Sequence, residues 1–523
     1  MAIAALAPAG ATGIIKDINP AELPATAWSD GRNIQFVDGA IQSAPGPLPL
    51  LADIGFTPRW CMPVGQTAGG LAAWVVASTT KVYAYIENVL TDITHAAGDY
   101  TGGDTFRWNG DVLSGVTILN NFTDVPQCWT QSDESIPLID LPNWNANWRA
   151  QAIRSYKQFL IALNVTKSGT RYPTLVKWSH PADPGTYPSS WDETDPTKDA
   201  GEYPLSETPG SVVDCLPLKD VNIIYKTDSV WGMQFIGGTY VFRFYKIFDD
   251  FGIANRDCAV EFSSGKHAVF TGTDLVVHDG QTSVSVVSGK MRRMLRSFDM
   301  PQIRSSYLVT NPLLKEVWLC FRATTDGLNP ANMAMIWNWE SGALSLRELP
   351  EYNFLANGRL DPPLTGVVTW GNIGKPWEEV VGEWGEAVTV PALVRLMGLS
   401  GQTIFWAESN LVNSQTCWVE RTHLGVQMES SAPPDLSRRK FISRIWPRIT
   451  GKPGTVVEIT LGWSDDVMKG MTWLAPRQYV LGADTSVDVI LSGKMFGLRI
   501  ESTGQSQWVF NGLDVEVKPA GRW

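Results

Sequence analysis

The chain reads as mainly β: a β-propeller followed by a small C-terminal antiparallel β-sandwich or platform. Three observations carry that expectation. Short apolar runs of strand length follow one another with turn residues between them. Gly (47) and Pro (33) are abundant while long helical periods are rare. Antiparallel hairpins of one shape return at intervals of about 40–50 residues, the spacing of four-stranded propeller blades. No strict sequence repeat accompanies them, and an array of β-sandwiches is the structural rival.

The stretch from Thr26 to Leu51 opens the pattern. Ile34, Phe36 and the run Val37–Asp38–Gly39–Ala40–Ile41 predict a short hairpin whose Asp38–Gly39 pair supplies the turn. Asp30–Gly31 offers an earlier turn, and Pro45, Gly46, Pro47 and Pro49 stop the second strand. Leu71–Ser78 and Val82–Glu87 predict two strands. Val112–Asn121 follows, then a Trp-rich crossing segment over Leu141–Ala150, then a pair at Gln158–Val165 and Thr174–His180. Residues 180–209, rich in Pro, Asp, Ser and Thr, predict a long exposed loop.

Beyond Asp220 the strands come faster. Val221–Gly238 predicts two strands around Thr227–Asp228, and Tyr240–Phe248 predicts one more. Lys266–Lys290 predicts three, with turns at Thr271–Gly272 and Asp279–Gly280. MRRMLRSF predicts a helical turn; Ser305–Arg322 and Met333–Leu349 each predict a strand, a polar turn and a strand. Trp370, Trp377 and Trp384 fall seven apart, but Gly371, Gly374, Pro376, Gly382 and Gly385 make a coiled-coil seam a poor reading. A loop crossed by Trp anchors is expected there, then a short helix around Pro391–Met397 and a strand at Thr403–Ser409. Ser430–Lys440 reads as a linker, and the runs after it alternate with period two. The expected organisation is an arm and hairpin over 1–55 packing with the C-terminal platform, a propeller with loop insertions over 56–430, and the platform over 431–523.

Charge and cysteine usage narrow the function classes. The formal net charge is −11. Residues 431–523 carry 12 Lys/Arg against 9 Asp/Glu, leaving 30 against 44 in the rest of the chain. An acidic body argues against gripping nucleic acid through its phosphates, but a negative wall repels phosphates and keeps DNA moving. The six cysteines show no CxxC pair, which favours buried thiols in a reducing compartment over a disulfide frame. The Ala-rich N-terminus lacks a basic region, so an ordered or semi-ordered arm is expected rather than a signal peptide. No apolar run reaches the roughly 18–20 residues of a membrane helix, and a soluble protein is expected.

Residues with chemical potential are few. His95, His180, His267, His278 and His423 are dispersed, and no HExxH or Cys/His cluster is present. Asp249–Asp250 and Asp465–Asp466 are paired carboxylates at strand ends, expected in solvated turns. Ser263–Ser264–Gly265–Lys266–His267 lacks the GxSxG elbow and reads as a turn, and no phosphate loop is present. Lys290 with Arg292, Arg293 and Arg296, and Arg438–Arg439–Lys440, are the densest basic clusters. Such patches more often pair with acidic neighbours or face solvent than bind DNA. No catalytic, cofactor-binding or metal-ligating residue is therefore assigned, no cofactor is expected, and the chain is read as a non-enzyme.

Four stretches together resemble a family. DGRNIQFVDGAIQSAPG near the N-terminus, VVHDGQTSVSVVSGKMRRM and SSYLVTNPLLKEVWLCF in the middle, and FGLRIESTGQSQWVFNGLDVEVKPAGRW at the end are similar to tail nozzle proteins of short-tailed bacteriophages. That group is also called tail tubular protein B or packaged-DNA stabilisation protein. The resemblance runs in patches over most of the chain. It implies a homohexameric ring in the virion tail, assembled in the bacterial host cytoplasm below head-to-tail adaptor proteins. Each subunit would carry a propeller, with tail fibre, tailspike or other tail proteins as neighbours. Genomic DNA would pass the lumen without sequence-specific contacts or any small-molecule substrate, retained by a plug until ejection. This chain is shorter than the larger members, whose insertions form the tip. The alternatives are a propeller-type glycan-binding or glycan-cleaving phage tail protein, suited by exposed Trp and paired Asp, and a host-derived propeller scaffold that binds peptides.

Overall fold

The computed structural model describes residues 2–6, 8–66, 72–86, 88–103, 107–129, 136–238, 240–323, 330–360, 394–409, 415–426, 436–502 and 507–521. Among them the chain is mainly β, with seven four-stranded sheets of propeller-blade type and two six-stranded sheets. It divides into two compact units.

The unit of Pro49–Gly252 and Tyr352–Ala407 is built on five blades. Blade 1 is Trp60–Gln66, Ala72–Ala77, Val82–Ile86 and Val89–Asp92. Blade 2 is Asn109–Leu113, Val116–Asn120, Gln127–Trp129 and Ile139–Asp140. Blade 3 is Trp148–Tyr156, Phe159–Lys167, Thr170–Trp178 and Gly201–Pro204. Blade 4 is Val212–Leu218, Val221–Lys226, Val230–Phe235 and Phe242–Phe248. Blade 7 takes Phe354–Arg359, Val394–Ser400 and Thr403–Ser409 from late in the chain and its outer strand, Gly46–Leu51, from ahead of blade 1.

Neighbouring blades are tied by polar groups on their inner strands and by tryptophan N–H groups. Trp74 Nε1 donates to the Arg359 carbonyl at 2.8 Å, joining blades 1 and 7. Gly358 makes that approach possible, since a Cβ there would lie 2.7 Å from the Trp74 ring. Trp108 Nε1 donates to the Ser78 carbonyl at 2.8 Å. Asp111 accepts from the Ser155 backbone at 2.9 Å and hydroxyl at 2.8 Å, linking blades 2 and 3. Arg154 donates to both carboxylate oxygens of Asp214 at 2.8 Å, linking blades 3 and 4.

The second unit, Met1–Leu48, Ile253–Glu351 and Glu408–Trp523, holds blades 5 and 6 and both six-stranded sheets. Blade 5 is Ala259–Ser263, Lys266–Phe270, Leu275–His278 and Ser283–Ser285. The expected helical turn is a helix, α1 (Arg292–Arg296), followed by α2 (Met300–Ser305), which Asp299 and Gln302 close with a capping box. Blade 6 is Tyr307–Asn311, Glu316–Phe321, Ala331–Asn338 and Leu344–Tyr352.

The six-stranded sheets draw on both ends of the chain. In the terminal sheet the order is Val487–Gly493, Arg439–Gly451, Trp508–Gly521, Ala40–Ser43, Ile34–Val37, and Ala2–Leu6 also pairs with Trp508–Gly521. The expected hairpin is present, Val37 opposite Ala40, with Asp38 and Gly39 at φ 51° and 76°. The other sheet runs Thr472–Trp473, Val456–Ser464, Met495–Ser502, Cys417–Leu424, Asp30–Arg32, with Arg477–Val480 pairing beside Thr472–Trp473. It takes in Cys417–Leu424, ahead of residue 431.

Several local expectations are corrected. The Val112–Asn121 run holds a hairpin turn and parts of both its arms, with Ser114 and Gly115 at positive φ (49° and 95°). The helix expected around Pro391–Met397 is, over its described part, the strand Val394–Ser400. Gly398 in that strand lets the Tyr352 ring approach closer than any Cβ would allow. Residues 391–393 and the Trp370, Trp377, Trp384 series lie outside the described residues. The supposed exposed loop over 180–209 instead buries Trp191 edge-on against Trp144, ring centroids 4.7 Å apart, and contributes the outer strand of blade 3.

Candidate functional site

The residues singled out by sequence are dispersed. His267 and His278 face each other across two strands of blade 5, ring centroids 5.5 Å apart, and both are buried. Burial pushes the His278 imidazole down to about 4, so it is neutral at physiological pH, and its Nδ1 accepts from the Gly280 N–H. His180 Nδ1 accepts from the Asp199 N–H at 3.0 Å, and His423 Nε2 lies 2.9 Å from the Lys469 carbonyl. Asp249 pairs with Lys246 at 2.8 Å, and Asp465 accepts from Arg439. The basic clusters are also engaged internally: Arg292 meets Asp274 at 2.6 Å and Lys290 donates to the Gly342 carbonyl at 2.6 Å. Among the described residues, no group of three or more His, Cys, Asp and Glu side chains is placed to hold a metal ion. All six cysteines are buried, and burial pushes the thiols of Cys128 and Cys215 up to about 12.

The densest buried ionic site was not singled out by sequence, because its members lie far apart in the chain. Glu316 and Arg347 sit on the second and fourth strands of blade 6, Asn311 on the first, Gln35 on the opening hairpin and Glu408 near the end of Thr403–Ser409. The Arg347 guanidinium donates to Glu408 and to the Pro45 carbonyl, and lies 4.8 Å from the Trp318 ring centroid. Glu408 also accepts from Asn311 and, at 3.0 Å, from Gln35. Gln42 donates to Gln35 at 3.0 Å, so the opening hairpin is held through both its strands. Trp318 Nε1 donates to Glu316 at 3.0 Å.

Here a second carboxyl group, Glu316, feels the charges of both Glu408 and Arg347. Burial and the charge of Glu408 raise the Glu316 carboxyl, against the Trp318 hydrogen bond and Arg347, to about 8. Glu316 is therefore mainly protonated at neutral pH, and the ion pair of the site is the one between Arg347 and Glu408. With Glu316, Arg347 and Glu408 all shut away from solvent, the cluster has the chemistry of a clamp between blade 6 and the opening hairpin.

A second cluster lies in blade 3. Lys177 is fully buried, 2.5 Å from Glu193 and 3.3 Å from Glu202; Lys167 is 3.1 Å from Glu193 and also contacts Glu202. Both ammonium groups lie within 5 Å of the Trp148 ring centroid, at 4.9 and 4.8 Å. Burial pushes the Glu193 carboxyl up, but the Lys177 hydrogen bond and the other contacts outweigh it and hold it at about 2. This charge set pins residues 193–202 onto the blade. Lys177→Met is expected to cost about 2 kcal/mol and to speed amide exchange first over residues 190–204. Hydrogen exchange reads that localisation; uniform loss of protection across the unit would contradict it.

The third strands of blades 2, 3, 4, 6 and 7 each carry a tryptophan: Trp129, Trp178, Trp231, Trp337 and Trp406. This recurrence was the available signal for the repeat. It is obscured in sequence because the loops between the strands differ in length.

No protein-family model matches the chain, and no curated protein matches it. Among solved structures, YCF48 bound to D1 peptide is similar at 8% identity and a TM-score of 0.36, covering 71% of this chain and 100% of that one. Hsv2 of Kluyvelomyces marxianus is similar at 10% identity and a TM-score of 0.24, covering 55% of this chain and 64% of that one. The chain thus spans under two thirds of that Hsv2 structure.

Proposed function

We propose that the chain is a structural virion protein, a phage tail nozzle subunit that extends the portal channel, retains the packaged genome and opens for ejection. One observation carries the reading. All four stretches that resemble nozzle proteins fall within a single compact unit, the one formed by Met1–Leu48, Ile253–Glu351 and Glu408–Trp523. In that unit the opening hairpin pairs with the C-terminal strand Trp508–Gly521, and Gln35 joins the Arg347–Glu408 clamp. Segments separated by hundreds of residues therefore contribute to one piece of architecture, as a shared fold element requires.

The physical role is geometric. The acidic excess outside residues 431–523 favours passage of DNA over its capture. Aliphatic and aromatic surface between copies would supply the cohesion of a ring. Peptide mass mapping of purified virions, separated into heads and tails, tests the proposal. The chain is expected in the tail fraction together with adaptor proteins; its absence from particles would refute the assignment.

A further inference from the structure

Blade 4 ends in an apolar projection that packing within the blade does not account for. Its third and fourth strands, Val230–Phe235 and Phe242–Phe248, close through Ile236 and Gly237 N–H groups donating to the Val241 carbonyl at 3.1 and 3.3 Å. Gly237 and Gly238 stand at φ 69° and 71°, so the chain reverses tightly there. The residues carried on this projection are large and apolar: Phe235 is 41% exposed, Ile236 52% and Tyr240 78%. Phe235 anchors the tip: its ring packs on those of Phe242 and Phe159, the three centroids 5.0–5.8 Å apart, which gives the tip a stiff base.

Cations stand one level behind the apolar tip. Arg243 is paired in register with Gln234, the residue before Phe235. The Lys157 ammonium, on the neighbouring hairpin of blade 3, lies 6.0 Å from the Phe235 ring centroid and 5.8 Å from that of Tyr156. Lys219 lies in the turn that leads into Val221, which pairs with Gln234. Against these three cations stands Asp220, 3.7 Å from Lys157. The tip is therefore locally basic in a chain whose formal net charge is −11.

We propose that this hairpin is a membrane-contact element, with Phe235, Ile236 and Tyr240 entering the interfacial layer of an anionic bilayer while Lys157, Lys219 and Arg243 meet its headgroups. The order along the projection, apolar end first and cation belt behind, matches the layering of a bilayer surface. Tyr240 has the amphipathic ring that settles at that depth. A protein partner would need a socket shaped to a convex hairpin, whereas an acyl boundary deforms around one. Binding would not depend on the ring assembly proposed above.

Co-sedimentation of the full chain with vesicles of phosphatidylglycerol and phosphatidylcholine, and of phosphatidylcholine alone, tests the inference. Binding is expected to the anionic vesicles, to weaken with salt, and to fall by about tenfold in Ile236→Asp and in Tyr240→Asp. Tyr240→Trp, read by its emission shifting to shorter wavelength on vesicle addition, keeps the test open if an aspartate variant fails to fold. Absence of vesicle binding by the unaltered chain, or binding that the tip substitutions leave unchanged, would overturn the proposal. Self-association abolished by the same substitutions, without vesicle binding, would assign the tip to a second copy instead.

Discussion

Replacing Arg347 with Ala is expected to lower the stability of its unit by about 3–5 kcal/mol, the range found when one partner of a buried ion pair is removed. The substitution strands the Glu408 carboxylate, which among the described residues keeps the neutral donors Asn311 and Gln35, and it frees the buried Pro45 carbonyl. It also uncovers the Trp318 face. The companion variant Glu316→Gln should behave differently. Glu316 is already protonated at neutral pH, and glutamine keeps an oxygen to accept from Trp318 Nε1. The pH dependence follows from the raised carboxyl. Below pH 4.5 Glu316 is protonated in both folded and unfolded chains; between 4.5 and about 8 only the folded chain retains the proton. Stability from this group is thus full at low pH and declines as pH rises to about 8, by up to about 1.4 kcal/mol per pH unit. Urea unfolding of the unaltered chain and of Glu316→Gln across pH 5–9 measures it. The difference between them should shift in favour of Gln as pH rises, and a constant difference would contradict the clamp.

Trp28→Ala is expected to have an effect of similar size, about 3–5 kcal/mol, and to release the N-terminal segment. Trp28 is almost fully buried; its Nε1 donates to the Ala9 carbonyl at 2.7 Å, and its ring meets Phe510 edge-on with centroids 6.1 Å apart. It therefore joins the arm ahead of the opening hairpin to the C-terminal strand that also pairs with Ala2–Leu6. Trp28→Phe keeps most of the apolar contact and strands the Ala9 carbonyl, so a smaller loss of about 1–2 kcal/mol is expected. Limited proteolysis should cut Trp28→Ala within the first dozen residues well before the unaltered chain. Equal cleavage would show that Trp28 does not hold the arm.

The strands and their turns were legible in the sequence where local chemistry dictated them. Asp38–Gly39, Thr271–Gly272 and Asp279–Gly280 all lie between paired strands, because a tight hairpin needs residues that tolerate its backbone. Ser114–Gly115 escaped notice, since Ser seldom adopts the φ of 49° found there and its immediate flanks Val112, Leu113 and Val116 are apolar. Trp191 was hidden in a segment of loop composition, where the neighbouring aromatics Tyr187 and Tyr203 are exposed and composition does not single it out. The Arg347 clamp had no local signature: Gln35, Asn311, Glu316, Arg347 and Glu408 are brought together only by tertiary packing. The exposed Phe235, Ile236 and Tyr240 were equally opaque, because such side chains suit a strand core and only solvent exposure distinguishes them.

The central claim, that this chain forms the wall of a conduit, is tested most directly by electron microscopy of the assembled tail with copies of the chain counted by density. A closed ring of about six copies around an open or plugged axial channel is the predicted result. A single copy lying peripheral to the channel, or a particle whose tail lacks the chain altogether, would contradict it.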